Sequence, residues 1–543
     1  MKKYRVRIGF LIGFLLTSSM IVLMYLGNRL LRLSFVPYDL FDWVARVLPG
    51  PIITFGIDAM IDTMIFLGIN VAEAAKTAER AIAIIQFLGV GTVIGAIYVI
   101  VLNRVSAKPS AQSGNLLGAI FGLPLIGISI AISNSPVNPL SNIAWLIILF
   151  WGWGYLFGII SKGYIERLPK AEIQGDEVRS VKRLSRRDFL ITVGAASATI
   201  TVVGAGLGAF LDARERKKEQ AADSMAHETE SSADDTFPNS NDPVMAAPGT
   251  RPEYTPIKNH YKVFLKTEPS LIPAEGYMLP ITGLVDSPLL LTLDDIRNNY
   301  QSKDQFVTMS CISGRIGTSL IGTTQWTGVS MQDILADAGI QEGAVNLLIS
   351  SEDGFFEIVD LELIASDERI MLCYAWDGHT LPDDHGFPLR IWIPDRYGMK
   401  QPKWITNIEV TDQADLKGYW VERNWDEVAQ VKTTSVIDTV AAHALVTDGE
   451  QQLVPIGGIA YSGDRGISRV QVRVDSGPWQ DATLRAPLSG TTWVIWRYDW
   501  PFVAGEHIFE VRCQEGDGTP QIEEQRQNRP SGATGIHSLE RSL

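Results

Sequence analysis

One cysteine in this chain lies where its sulfur could do chemistry. Cys311 stands in a polar, glycine-containing turn, residues 309–317, whose small neighbours leave the sulfur accessible. The guanidinium of Arg315 would favour the thiolate form. A thiolate beside a cation suits a soft metal ion as its ligand, or serves as a nucleophile. The turn therefore predicts a metal ligand or a nucleophile at Cys311, with a small core residue as the open alternative.

The sequence lacks the motifs of several other kinds of functional site. It has no dinucleotide fingerprint, no P-loop, no Ser-His-Asp order and no pair of histidines at metal spacing on a helix. The three cysteines give no disulfide framework, and Cys373 and Cys513 lie in strand-like runs that predict core packing. The formal net charge of −14 argues against nucleic acid as a partner.

Further polar motifs lie before and after the cysteine turn. In chain order the set is Asn259-His260, the turn itself with Ser313, Trp326-Thr327-Gly328, Tyr374 with Asp377-Gly378 and Leu381-Pro382, the segment 384–390 with His385 and Arg390, and the segment 398–404 with Lys403. In order and spacing they resemble the sulfite oxidase family of molybdopterin-dependent oxidoreductases. The resemblance runs from about Lys258 to the C-terminus.

The resemblance implies a molybdenum–molybdopterin cofactor. Cys311 would be the protein ligand of the metal, while cations and hydrogen-bond donors would hold the pterin and its phosphate tail. The cofactor-binding residues that it implies are Asn259, His260, Cys311, Ser313, His385, Arg390 and Lys403. No haem is expected, because all seven histidines lie at or after His227, beyond the apolar segments described below.

The resemblance also assigns roles in the reacting pocket. Tyr374 would hydrogen-bond the substrate or an oxo group, Trp326 would wall the pocket, and Arg315 would bind an anionic substrate or the pterin. The predicted reaction is a two-electron oxygen-atom transfer at molybdenum. Because no fused haem domain is expected, electrons would pass to a separate carrier, which is a quinone, a cytochrome or a partner subunit.

Three departures from the family pattern bear on the substrate. Lys258 and Asp383 stand where the family usually has arginines, and residues 311–315 read CISGR instead of Cys-x-Gly-Asn-Arg. Fewer arginines weaken bidentate binding of an oxyanion. Three alternatives therefore stay open: oxidation of a small, sulfite-like anion, reduction of sulfoxides or other S- and N-oxides fed from the membrane, and a cofactor-free, membrane-anchored binding protein.

The first part of the chain has the composition of a membrane protein. Four apolar segments approach the roughly 20 residues that a bilayer core requires; they lie at about 8–31, 81–102, 116–132 and 143–160. A fifth, 191–211, follows the twin-arginine pair Arg186-Arg187 of the hexamer SRRDFL, which marks export of a folded, cofactor-loaded protein. The stretch 51–72 carries two carboxylates and is predicted to be interfacial or re-entrant.

Loop charges predict the orientation of these segments. Lysines and arginines cluster before the first span, after the second and after the fourth, which places those ends in the cytoplasm. The fifth span then carries the rest of the chain to the periplasmic or extracellular side. No convincing small-x-small cleavage site follows it, so it is expected to remain as an anchor. The basic residues at 214–218 would lie outside, against the rule.

The predicted fold is multi-domain. Its parts are an α-helical transmembrane domain of about four spans (1–184), the signal and fifth span (185–211), a flexible linker (212–251), an α+β molybdopterin domain (252–430) and an immunoglobulin-like β-sandwich (431–543). The sandwich is predicted from alternating runs separated by turns. In the family this domain often mediates dimers, so a homodimer remains an option here.

Overall fold

The computed structural model describes residues 5–67, 69, 71–132, 137–166, 186–230 and 237–543. The chain divides into two units. One comprises Met1–Leu48 with Thr77–Thr229, and the other comprises Pro49–Lys76 with Glu230–Leu543. The stretch 51–72, predicted to be interfacial or re-entrant, thus belongs entirely to the second, sheet-rich unit.

Within the described residues, the chain before the first strand is mainly helical. Its helices are α1 (Val6–Leu31), α2 (Val36–Val47), α3 (Gly50–Phe66), α4 (Val71–Arg104), α5 (Ala111–Ile132), α6 (Pro139–Glu166) and α7 (Arg186–Glu230). Five stretches are long and apolar enough to cross a membrane: Val6–Leu31, Ala74–Arg104, Ala111–Ile132, Pro139–Tyr164 and Leu190–Arg214. They overlap the five predicted spans, and they are consistent with membrane association of this half of the chain.

Glycines let α5 and α6 pack closely. A Cβ atom on Gly114 would lie 2.3 Å from the carbonyl oxygen of Gly154, and one on Gly154 would lie 2.4 Å from that of Gly114. A Cβ on Gly158 would lie 2.3 Å from the carbonyl oxygen of Ser110. Small residues spaced one helical turn apart allow such close approach of helices in lipid. Gly152 on α6 instead faces open space.

The stretch predicted as a flexible linker, 212–251, is largely structured where the structure describes it. Its first part continues α7, and its last part is held against the C-terminal sheets. Asn239 donates a hydrogen bond to the carbonyl of Ala486 at 2.6 Å, and Arg251 pairs with Asp438 at 2.6 Å. These two bonds, from the side chains of Asn239 and Arg251, hold the last part of the stretch to the C-terminal sheets.

The first two sheets form an α+β region, as predicted. One sheet has the order β2 (Leu289–Thr292), β1 (Met278–Gly283), β10 (Ile405–Thr411), β5 (Asn346–Ser351) and β6 (Phe356–Asp360). The other has the order β3 (Ser302–Ser310), β4 (Ile321–Ser330), β7 (Met371–Trp376) and β8 (His379–Thr380), with β9 (Arg390–Trp392) also paired to β7. Three short helices join them: α8 (Leu293–Asn299), α9 (Met331–Ala338) and α10 (Leu361–Ser366).

This region has no regular parallel repeat. Only β1 and β10 pair in parallel among its described ladders, and the remaining pairs are antiparallel. An apolar core built from both sheets and the three helices includes Ile281, Val329, Ile334, Leu347 and Ile408. Burial of these side chains fixes the sheets, and their loops and strand ends are left to form a site.

The C-terminal residues form two antiparallel sheets. The first contains β11 (Thr434–Val440), β13 (Gln451–Tyr461), β17 (Val494–Pro501) and β16 (Thr483–Leu484), with β12 (Val446–Asp448) on β13. The second contains β15 (Gln480–Asp481), β14 (Ile467–Val474), β18 (Glu506–Glu515) and β19 (His537–Ser542). Ile456 and Trp496 of the first sheet share one core with Val472, Phe509 and Val511 of the second. Two layers thus enclose one core, and the immunoglobulin-like topology stays a prediction.

Candidate functional site

The cysteine turn begins where β3 ends. The backbone N–H of Cys311 donates to the carbonyl of Leu320 at 2.9 Å, and the N–H of Gly314 donates to the carbonyl of Cys311 at 3.0 Å. These bonds close the loop that joins β3 to β4. The Cys311 sulfur lies 3.0 Å from the hydroxyl oxygen of Ser313 and forms no disulfide. The hairpin therefore presents a half-buried thiol at its tip.

The electrostatics of the thiol differ from the sequence prediction. Burial raises the pKa of the Cys311 thiol, and the hydrogen bond with Ser313 and the charge of Lys403 only partly offset this. The guanidinium of Arg315, which was expected to favour the thiolate, instead forms an ion pair with Asp62 of α3. Because a metal ligand must be the thiolate, metal binding at Cys311 would be coupled to release of a proton.

Aromatic rings form a tight cluster under the cysteine turn. The ring centres of His260 and His385 are 5.5 Å apart, and Trp376 lies 5.0 Å from the first and 4.4 Å from the second. Trp326 lies 4.6 Å from Trp376. The Arg390 guanidinium lies over Trp326 at 4.6 Å. The structure thus joins His260, His385, Arg390 and Trp326, which the sequence predicted as site residues.

Burial sets the charge states in this cluster. It lowers the pKa of His260 to about 3 and the pKa of His385 well below its usual value, with further lowering by the cations Arg390 and Lys403. Both imidazoles are therefore neutral near pH 7. Burial, and secondarily Arg390, also lowers the pKa of Lys403 to about 7. The Lys403 ammonium donates to the carbonyl of Asp384 at 3.0 Å.

Several buried polar atoms of this cluster lack a hydrogen-bond partner among the described residues. They are His260 Nε2, the Tyr261 hydroxyl, Ser310 Oγ, Trp326 Nε1, Trp376 Nε1, His385 Nε2 and Arg390 Nε. Buried polar groups are almost always hydrogen-bonded, so a concentration of unpaired ones in one place indicates a missing polar ligand. Donors and acceptors of this kind, next to a thiol outside any disulfide and to cations, fit a metal-bearing, anionic cofactor.

Comparison with known proteins agrees with this chemistry. Residues 266–420 match the family model of the oxidoreductase molybdopterin binding domain. Human mitochondrial sulfite oxidase is 28% identical over 303 residues, which cover 48% of this chain and 54% of that protein. The NADPH nitrate reductase of Fusarium oxysporum is 27% identical over 252 residues, which cover 38% of this chain and 28% of that protein.

Residues 266–420 thus form a molybdopterin-binding oxidoreductase domain, and the chain is similar to sulfite oxidases. It spans about half the length of the curated sulfite oxidases that it matches first. The crystal structure of the sulfane dehydrogenase SoxCD from Paracoccus pantotrophus aligns with a TM-score of 0.46 and 19% identity, over 53% of this chain and 80% of that one.

The predicted tyrosine does not face the cluster of the molybdopterin domain. Thr327 of β4 pairs with Ala375 and Gly328 pairs with Cys373, so Tyr374 is the extra residue at a bulge in β7. Its ring packs in the core on the other side of the sheet, whereas Cys373 and Trp376 pack with Trp326. The prediction that Tyr374 touches the substrate therefore disagrees with its placement.

Two more predicted residues of the molybdopterin domain lie outside the cluster. Asn259 is exposed at the end of a short 3-10 helix, although the next residue, His260, is buried. Arg315 points to Asp62 rather than to the sulfur. By contrast, Ser313 is in direct contact with the sulfur, as its predicted place in the site requires.

Sequence reasoning missed one tyrosine of the cluster. The ring of Tyr261 stacks on His260 at 4.9 Å, and its side chain packs in the same cluster as Cys311 and Trp326. Burial raises the pKa of the Tyr261 phenol strongly, and the charge of Cys311 raises it further. Its position directly after the Asn-His motif was the signal that could have drawn attention to it.

A buried ion pair supports the last motif of the molybdopterin domain. The Lys400 ammonium lies 2.7 Å from Glu357 Oε1 and donates to the carbonyl of Ile358 at 2.8 Å. Both charged side chains are buried. Since a buried charge is tolerated only with such partners, this pair fixes the segment 398–404 and with it the position of Lys403. No local sequence signal links Glu357 to this segment.

Proposed function

We propose that the protein is a membrane-bound, molybdopterin-dependent oxidoreductase that transfers an oxygen atom and two electrons at molybdenum on the extracytoplasmic side. The observation that carries this proposal is the set of buried, unpaired polar atoms beside Cys311 in a domain of this family. The five apolar helices support the membrane location. The twin-arginine pair at the start of α7 supports export of a folded, loaded domain.

Different residues of the site would bind different parts of the cofactor. Cys311 would supply the thiolate ligand, and Arg390 and Lys403 would bind the phosphate tail. His260 and His385, both neutral, would hydrogen-bond the polar edge of the pterin. When bound, the molybdenum–pterin group supplies the two-electron chemistry. The tryptophans Trp326 and Trp376 exclude water from this part of the site.

We assign to Tyr261 the role in the site that the sequence analysis predicted for Tyr374. The hydroxyl of Tyr261 is buried and unpaired among the described residues, and the side chain packs in the same cluster as Cys311. A phenol of raised pKa stays protonated and is a hydrogen-bond donor throughout the physiological range. We assign it to donate to the substrate or to the cofactor at the reacting end of the site.

The electron path leads to a separate carrier, a quinone, a cytochrome or a partner subunit. The described apolar stretches that are long enough to cross a membrane contain no histidine, so they offer no imidazole pair for a membrane haem. The helical half would then anchor the enzyme or bind that carrier. The reductase of S- and N-oxides is the second candidate, favoured by the pairing of Arg315 with a carboxylate, which leaves less positive charge for an oxyanion.

The proposal is tested by metal and pterin analysis of the full chain, purified in detergent from cofactor-competent cells. We expect about one molybdenum per chain, with pterin released on denaturation. Cys311→Ser should lose the metal, whereas Cys513→Ser, which changes a buried thiol of the C-terminal sheets, should keep it. A folded wild-type protein with neither metal nor pterin would exclude the enzyme and leave a binding protein.

A further inference from the structure

Helix α3 brings two carboxylates to the molybdopterin domain, within the same structural unit. Asp58 and Asp62 are one helical turn apart and so share a face of the helix. Asp62 forms an ion pair with Arg315, and Asp58 lies 3.7 Å from Arg529. The two contacts are independent, because they join α3 to two different segments of the unit.

Both arginines flank the cysteine turn. Arg315 belongs to the turn itself, and the neighbour of Arg529, Asn528, donates to the carbonyl of Ser313 at 2.7 Å. Ser313 in turn contacts the Cys311 sulfur. The Arg529 Nε is buried without a hydrogen-bond partner in the described structure. Two guanidinium groups therefore flank the turn that carries Cys311, and Arg529 still has a donor without a partner among the described residues.

The rest of the segment keeps α3 in this place. Ile61 and Met64 are buried, whereas Phe55 and Phe66 are exposed, so the helix has a docked face and a free one. Farther along, the Lys76 ammonium donates to the carbonyls of Phe264 and Lys266 at 2.7 and 3.1 Å. The segment 49–76 is thus held to the rest of its unit in the middle, at Asp58 and Asp62, and at its last residue, Lys76.

We propose that Asp58 and Asp62 determine the charge of the substrate that the site accepts. Paired with Arg315 and Arg529, they neutralise the groups that an oxyanion such as sulfite would need, and they favour a neutral S- or N-oxide. An oxyanion must displace a carboxylate before it is bound, whereas a neutral substrate does not. This inference rests on the proposed function and names its substrate class.

The test compares one anionic and one neutral substrate on the full-length, molybdenum-loaded protein in detergent. Sulfite takes an oxygen atom from water to form sulfate, releases two protons and passes two electrons to an oxidised dye. Dimethyl sulfoxide takes two electrons from a reduced dye and two protons, and leaves dimethyl sulfide and water. In Asp58→Asn/Asp62→Asn we expect the KM for sulfite to fall about fivefold, which is the size of effect that partly exposed ion pairs have. The KM for dimethyl sulfoxide should not change.

A binding measurement accompanies the kinetics. Sulfate raises the melting temperature by mass action if it binds the folded protein. We expect the double variant to reach the same shift in melting temperature at a sulfate concentration about fivefold lower than wild type. Asp481→Asn, which breaks a comparable ion pair with Arg469 in the C-terminal sheets, serves as the matched control and should change neither value.

Two outcomes overturn the inference while leaving the proposed function intact. One is a loaded double variant with an unchanged sulfite-to-sulfoxide ratio of kcat/KM and unchanged sulfate binding. The other is Asp62→Glu, which keeps the charge, shifting the ratio as far as Asp62→Asn does, since the contact would then be merely structural. If the double variant does not fold, the single variant Asp58→Asn is tested by the same measurements, because its ion pair is longer and partly exposed. Absence of molybdenum and pterin from wild type would instead overturn the proposed function.

Discussion

At the scale of single residues, the site depends on which atoms are left without partners. Tyr261 and Tyr374 are both largely buried, yet only Tyr261 packs in the cluster of Cys311 and has a fully buried hydroxyl without a partner among the described residues. The Tyr374 ring packs in the main core, with the Arg297 guanidinium 5.4 Å from its centre. Burial alone therefore does not identify a reacting group, whereas burial with an unsatisfied donor does.

The first residue-scale prediction separates the two tyrosines. Tyr261→Phe removes a donor without changing the ring, so we expect kcat/KM to fall about tenfold, as for a lost hydrogen bond to a charged group. The electron paramagnetic resonance signal of the reduced molybdenum should change as well. Tyr374→Phe should leave both measurements as in wild type, and the reverse pattern would restore the role that the sequence suggested.

The second residue-scale prediction concerns Lys403 and pH. Its pKa is about 7 in the folded, cofactor-free chain and near 10.5 when unfolded, so the unfolded state binds more protons between these values. The free energy of unfolding must then rise with pH in that window, by up to about 1.4 kcal/mol per pH unit from this one group.

Lys403→Met removes the charge but keeps the length of the side chain, so it should remove that contribution. The measurement is the melting temperature of cofactor-free protein between pH 7 and pH 10, expressed as wild type minus variant. Lys262→Met, at a partly exposed pair with Asp384, serves as the control and should preserve the slope. Equal slopes for wild type and Lys403→Met would contradict the assigned pKa.

At the scale of elements, close contacts decide which helices and segments can pair. Gly114 and Gly154 let α5 and α6 approach until backbone meets backbone. In the sheet-rich unit, a Cβ on Gly322 would lie 2.6 Å from the ring of His260. The strand β4 can therefore pass under that imidazole only because this residue is a glycine. Gly386 has φ +115°, a conformation that favours glycine, and its missing side chain lets the segments that carry Arg390 and Lys403 lie close to it.

The element-scale prediction uses two neighbouring glycines of α6. Gly154→Val forces the two helices apart and should lower the free energy of unfolding by about 2 kcal/mol, as overpacking does. Gly152→Val adds the same atoms to open space and should cost much less. The measurement is unfolding of the full chain in detergent mixtures; similar losses for both variants would show that α5 and α6 do not pack through these glycines.

At the scale of the whole molecule, the chain combines an apolar helical half with a sheet-rich half that carries the cofactor site. The twin-arginine pair stands at the start of the last apolar helix, directly ahead of the exported half in the proposed topology. In the proposed function, the cofactor would be enclosed by buried tryptophans and histidines and would therefore be inserted as the domain folds. Export after folding would fit this proposed order of events.

The whole-molecule prediction follows from that order. Arg186→Lys/Arg187→Lys should retain the molybdopterin domain in the cytoplasm, where added protease cannot reach it in intact spheroplasts. Arg214→Lys/Arg216→Lys changes a similar pair after the span and should leave the domain exposed to protease. Digestion of the domain in spheroplasts of the first variant would mean that these arginines are ordinary positive flanking residues.

Much of this protein is determined by the sequence itself. The five apolar helices follow from hydropathy and length, and the order of Cys311, His385, Arg390 and Lys403 predicted the cofactor domain that the family match confirms. Alternating or apolar runs also placed Cys373 and Cys513 in cores, where both are buried. These are local properties, readable over one helix, one strand or one motif.

Only the tertiary structure decided the rest. A bulge of one residue in β7 turns Tyr374 away from the site. The sequence pattern of β7 does not predict this bulge, because the bulge depends on pairing with β4. The pairing of Asp62 with Arg315 joins residues 253 positions apart, and the linker was ordered by partners near the end of the chain. Contacts at such separations depend on how the elements pack, which local periodicity and composition do not encode.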